Sequence, residues 1–157
     1  MKNILVVLFL CSFVKDIFGF VNTNRTESHF KTINADSASV LQKCIDLVEL
    51  QPFYPKNPDS SYEKLYVMQH GVSFPVSIGV AHLGKPISFL DKEQIKRSGI
   101  NAYFYFHEFR LEKDAAKVEY VFNYDLSAGT PKMQVVSLLL AKTSQGWIIT
   151  ESNMEAK

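Results

Sequence analysis

Between residues 102 and 124, apolar and polar positions alternate through two runs, with Glu112-Lys113-Asp114 as a polar turn between them. Side chains in a strand point to opposite faces with period two, so the first run predicts a strand with Tyr103, Tyr105, His107, Phe109 and Leu111 on one face. Ala102, Phe104, Phe106, Glu108 and Arg110 take the other. In the second run, Val118, Tyr120, Phe122 and Tyr124 alternate with Lys117, Glu119, Val121 and Asn123. Both runs are rich in aromatic and β-branched residues, which suit a pleated surface, and together they predict a hairpin.

Upstream the period changes. Val40, Leu41, Cys44, Ile45, Leu47 and Val48 recur at spacings of three and four, which predicts an amphipathic helix over 37–50. Asp36 or Ser37 is placed to cap it and Pro52 to end it. Its apolar stripe makes it the cover for one sheet face, with Cys44 inside the stripe as a structural thiol. Residues 52–61 hold three prolines among Asn, Asp and Ser and predict a loop with Phe53 and Tyr54 as anchors. Segments 65–68, 76–80 and 87–90 read as extended, with a turn at 83–86. Asp91 and Gln94 form a capping box opening a short helix that Gly99 stops. A loop over 125–132 leads to a strand over 133–142 and a last strand over 147–151, after which residues 153–157 are expected to fray.

The predicted fold class is therefore α+β: a curved antiparallel sheet, a meander of about four strands, packed on an N-terminal amphipathic helix. Residues 37–152 form its single domain, a length sufficient for one core. Residues 1–19 change the picture of the cell biology rather than of the fold. One cation, Lys2, precedes the apolar run Ile4–Val14, which is too short to span a bilayer and reads as a signal peptide. Residues 20–36 are a polar lead-in containing the sequon Asn24-Arg25-Thr26. Export to the periplasm or exterior is the expectation. Lipid anchoring enters only if Cys11, which large residues precede, is acylated. Loss of the leader leaves Cys44 alone, with no intrachain disulfide.

Composition narrows the function classes. The chain is 46% hydrophobic with a formal charge of +1, too little for nucleic acid to be drawn by bulk electrostatics. His70 and His82 lack a second ligand at metal spacing, so neither a metal nor a cofactor is expected. The partners expected are a small apolar or aromatic ligand, or a protein.

The succession of covering helix, irregular middle, short helix and meander, finishing in Gln145-Gly146-Trp147-Ile148-Ile149, resembles the cystatin-like and NTF2-like folds over residues 37–151. Small exported bacterial proteins of that type often finish with such a strand. The inhibitory Q-x-V-x-G pattern of true cystatins is missing, because Gln134-Val135-Val136-Ser137 lacks the glycine, so protease inhibition is not implied. The resemblance implies a concavity lined by the hairpin aromatics Tyr103, Tyr105, His107, Tyr120 and Tyr124. Some NTF2-like proteins are isomerases or dehydratases using Asp, His and Tyr, which makes His107, Asp125 and Tyr105 candidate catalytic groups. The leading reading is a non-enzymatic binding or interaction domain, and a small cofactor-free enzyme is the alternative.

Overall fold

In the computed structural model the described residues are 35–157 except Val76. The leader, Cys11, the sequon and most of the lead-in lie outside them. Their architecture is α+β, a curved and unclosed sheet with few helices. Among the described residues, no helix is long and apolar enough to cross a membrane.

Among the described residues helix α1 covers 35–45, ending before the predicted residue 50. The chain leaves the α-helix at Asp46 and Leu47, then re-enters a 3-10 helix at Val48–Phe53 that contains Pro52. A continuous helix would have placed Val48 on the stripe with Leu41, Cys44 and Ile45. The break instead buries Leu47 and Leu50 and leaves Val48 71% exposed. Pro52 therefore does not end the first helix; it sits where 3-10 bonding, Leu50 N–H to Leu47 O and Tyr54 N–H to Gln51 O, leaves its missing N–H harmless. Two tyrosine hydroxyls serve the carbonyls that α1 leaves unpaired at its end: Tyr120 donates to Cys44 O at 3.0 Å and Tyr54 to Ile45 O. Asp36 lies inside the helix rather than capping it, and its carboxylate reaches Trp147 and Lys142.

The predicted meander is present as β5 (Tyr103–Leu111), β6 (Ala115–Tyr124), β7 (Lys132–Thr143) and β8 (Gly146–Ala156), paired antiparallel in that order. The sheet is wider than a meander, however. Before it in the chain come β1 (Tyr66–Met68), the small hairpin of β2 (Ala81–His82) and β3 (Lys85–Pro86), and β4 (Ser88–Leu90). β1 lies parallel to both β5 and β4, giving six strands in the order β4-β1-β5-β6-β7-β8. No strand covers 77–80; the extended residues fall at Ala81–His82 instead. Helix α2 (Lys92–Arg97) has the predicted capping box, with Asp91 accepting from Gln94 N–H at 2.7 Å and the Gln94 amide oxygen accepting from Asp91 N–H at 2.9 Å. Residues 153–156 remain in β8 because Met154 pairs with Val136 and packs on the core.

The core lies between α1, the 3-10 helix and one sheet face. Phe104, Phe106, Val118, Tyr120, Phe122, Val136 and Leu138 are fully buried there, facing Leu41, Cys44, Ile45 and Leu50.

Candidate functional site

A β-bulge decides which hairpin residues face where. Phe106 pairs with Tyr120 but Glu108 pairs with Glu119, so His107 is the extra residue on β5. The bulge resets the alternation: Phe104, Phe106, Phe109 and Leu111 all pack on or against the core. Tyr103 and Tyr105 turn away from it, and His107 is exposed. This corrects the expected single face of Tyr103, Tyr105, His107, Phe109 and Leu111.

The expected lining residues consequently separate. Tyr120 is wholly buried, its ring between those of Phe104 and Phe106. Burial pushes its phenol pKa well up, and its proton is committed to the α1 carbonyl. Tyr103 and Tyr105 stand opposite Asn123 and Val121, on the other side of the sheet from Tyr120 and Tyr124. Burial also raises the Tyr103 phenol pKa. His107 touches Tyr105 with 4.3 Å between ring centroids. Asp125 follows Tyr124, beyond the Tyr103–Asn123 pair, so His107 and Asp125 are roughly 20 Å apart by strand rise. These two side chains do not meet, and the space the aromatics were expected to line is filled by the protein's own core.

Tyr124 and Asp125 do come together, at a different place. An open cleft of about 530 Å³ is lined by Pro52, Phe53, Lys56, Asn101, Tyr124, Asp125 and Lys132 among others. Its wall is aromatic: Tyr124 stacks on Phe122 at 5.8 Å and meets Phe53 at 5.3 Å. The wall exists because Tyr124 ends the row of alternate β6 aromatics just past the helical cover, and because the 3-10 helix delivers Phe53 beside it.

The rim is rich in hydrogen-bond donors. Buried Gln134 gives its amide N–H to the Tyr124 oxygen at 3.2 Å, which leaves the phenolic proton to point elsewhere. The Asn101 amide oxygen accepts from Ser127 N–H and hydroxyl, so its NH₂ is what Asn101 offers. Lys56 lies over the Tyr62 ring at 5.1 Å. Lys132 pairs with Asp125 at 2.8 Å, which raises the ammonium pKa and leaves further donor hydrogens. Asp125 itself holds φ of +56°, a left-handed conformation that aspartate tolerates better than most residues. It turns the chain into the 3-10 helix at Leu126–Ala128. The cleft thus joins two aromatic rings, tilted at 49° to one another, to two ammonium groups, an amide, a phenol and one carboxylate.

Pattern reading passed over a second group. His82, marked in the sequence only by its lack of a second metal ligand, is 4% exposed, with Nδ1 3.2 Å from Asp46 and its ring edge-on to Tyr54 and Tyr62. Its Nε2 is buried with no hydrogen-bond partner among the described residues. Gln42 completes the setting, accepting from Ala81 N–H at 3.1 Å and donating to Ala81 O at 2.7 Å. No spacing rule links positions 42, 46 and 82, so nothing in the sequence announces them. Cys44 is buried as expected, and burial pushes its thiol pKa far up. Among the described residues, no three His, Cys, Asp or Glu side chains cluster to hold a metal.

Comparison with known proteins returns no match to a family model, a curated protein or a solved structure.

Proposed function

We propose that this chain is an exported, non-enzymatic binding domain that holds a small aromatic or apolar molecule bearing an anionic group in the cleft between Phe53, Tyr124 and Lys132. The observation that carries the reading is the composition of that cleft: an aromatic wall of two rings 5.3 Å apart beside donors that outnumber the single carboxylate. An aromatic ring would pack on one of Tyr124 and Phe53 and meet the other at an angle, while a carboxylate would meet Lys132, Lys56 or the Asn101 amide. The cleft volume falls within the range usual for small-ligand sites. Export is supported by the apolar leader, and a cystatin-like or NTF2-like relationship by a helix laid on a curved sheet whose last strand opens with Gly146-Trp147.

The test is an NMR titration of the purified mature protein with benzoate and with indole-3-acetate, accompanied by native mass spectrometry for any copurifying molecule. Shifts are expected to centre on Phe53, Asn101, Tyr124 and Lys132, and Tyr124→Ala should weaken binding by tenfold or more, on the order of one lost aromatic contact. Shifts centred on Tyr103 and Tyr105 would move the site to the opposite sheet face and end this reading.

A further inference from the structure

The two edges of the six-stranded sheet are built differently. β4 is three residues long, a short edge that offers little to pair with. β8 runs for eleven residues, contains no proline or lysine, and is paired on one side only among the described residues. Its single irregularity, at Thr150, precedes a regular stretch in which Glu151 to Ala156 pair continuously with Leu139 to Gln134.

The phase of the ladder shows which backbone groups that edge presents. Met133 and Lys157 exchange hydrogen bonds in both directions, N–H to O at 3.3 Å and 3.0 Å. In an antiparallel pair, mutually bonded residues alternate with residues whose N–H and C=O point to the other side. Lys157, Glu155, Asn153 and Glu151 therefore bond inward to β7, whereas Ala156, Met154 and Ser152 turn their N–H and C=O outward. The side chains divide the same way. Ser152, Met154 and Ala156 lie on the core side, opposite Leu138, Val136 and Gln134; Glu151, Asn153, Glu155 and Lys157 lie on the other face.

We propose that this edge pairs antiparallel with β8 of a second copy, about a two-fold axis at Met154, joining two sheets into one. Charge selects the occupant and its register. An antiparallel ladder must bring outward residues opposite outward residues, which permits few registers. Centred between Ser152 and Met154, the pairing would set Glu151 against Glu155 of the second copy, like charges directly opposite. Centred on Met154, it sets Ser152 against Ala156, Asn153 against Glu155 and Glu151 against Lys157, so each copy contributes one half of two opposite-charge pairs. The same register lines the core-side seam with the two Met154 side chains, and small Ala156 meets small Ser152. The interface is no larger than those of transient complexes, so the dimer is a reversible one.

Sedimentation of the full mature chain over about 10 µM to 1 mM, a window suited to transient contacts, tests it. Wild type is expected to shift from monomer to dimer within that range. Ser152→Pro removes an outward N–H without taking a bond from β7, and should leave a folded monomer. Glu151→Lys places two like-charge pairs across the axis and should weaken association on the order of tenfold or more, while adding Lys157→Glu to it restores opposite charges and association. Met154→Cys should form an intermolecular disulfide under mild oxidation, because facing residues of a bonded pair lie about 5.5 Å apart at Cα. A chain that stays monomeric throughout overturns the proposal. So does a dimer indifferent to both Ser152→Pro and the charge exchange.

Discussion

The indole N–H of Trp147 donates to the carboxylate of Asp36 across 2.9 Å, joining the start of the last strand to the helix that opens the described chain. Trp147 is 3% exposed, and Lys142 reaches the second oxygen of the same carboxylate at 2.7 Å. Trp147→Ala should therefore cost roughly 3–5 kcal/mol, the scale for removing a large buried aromatic, and Trp147→Phe clearly less. Urea denaturation followed by circular dichroism measures both.

Asp36 adds a pH dependence with a definite sign. Burial pushes its carboxyl upward, but the bonds from Lys142 and Trp147 outweigh that and hold it below the ordinary range. A depressed folded pKa contributes stability above the unfolded value near about 4, lost as pH falls through the folded one. Asp36→Asn should thus be less stable than wild type at pH 7, and the gap should close on acidification. A gap that does not narrow as the pH falls would show that the charge is not what Trp147 and Lys142 bind.

Tyr120→Phe removes only a hydroxyl, yet it strips the end of α1 of one donor. The Cys44 carbonyl is then left buried without the bond it receives at 3.0 Å. The expected cost is about 1–3 kcal/mol by thermal or urea denaturation, the range for stranding a buried polar group. A neutral substitution would mean that the carbonyl finds water.

What the sequence made legible follows from how local each feature is. The hairpin and the α2 capping box rest on alternation and a three-residue spacing, both contained in short windows. The bulge at His107 adds one residue without any compositional mark, and it alone reverses the faces of Phe109 and Leu111. The parallel pairing of β1 with β5 joins segments more than thirty residues apart, and the break after α1 is set by where Leu47 and Leu50 find burial. For the site, Tyr124 and Asp125 were visible as residues, but the 3-10 helix that brings Phe53 to them was not.

His107, exposed at the bulge, carries little of the fold. His107→Gln should change stability by no more than about 0.5 kcal/mol, as surface substitutions do, and leave benzoate binding in the cleft unaltered. Denaturation and the NMR titration read these out. A compound converted by wild type but not by His107→Gln would replace the binding reading with an enzymatic one.

His82 makes a sharper contrast. Its Nε2 is buried without a partner among the described residues, while its ring fits edge-on between Tyr54 and Tyr62 at centroid distances of 5.0 and 5.5 Å. Phenylalanine keeps the ring contacts and discards the unpaired nitrogen, so His82→Phe should lie within about 1 kcal/mol of wild type despite losing the bond to Asp46. His82→Ala opens a cavity and should cost roughly 2–4 kcal/mol. Equal losses in the two variants would show that the Asp46 contact, rather than the packing, holds β2 against α1.

Asp125 links the backbone of the cleft to its charge. At φ of +56° an L-residue is strained by roughly 1–2 kcal/mol, a cost glycine avoids, although glycine also gives the unfolded chain more freedom to lose. These terms oppose, so Asp125→Gly should leave stability within about 1 kcal/mol of wild type, whereas Asp125→Ala keeps the strain, loses the aspartate's tolerance for it and should be the less stable of the two. The exposed pair with Lys132 adds little to stability in either case, being open to solvent on both sides. Its effect on the cleft is larger. Removing the one carboxylate on the rim frees the Lys132 ammonium that it now engages at 2.8 Å, and a bound anion no longer competes with it. Asp125→Gly should accordingly tighten benzoate binding several-fold at low salt, with the gain shrinking as ionic strength rises. Tighter binding that ignores salt would trace to a reshaped turn, and weaker binding would make Asp125 a ligand contact in its own right.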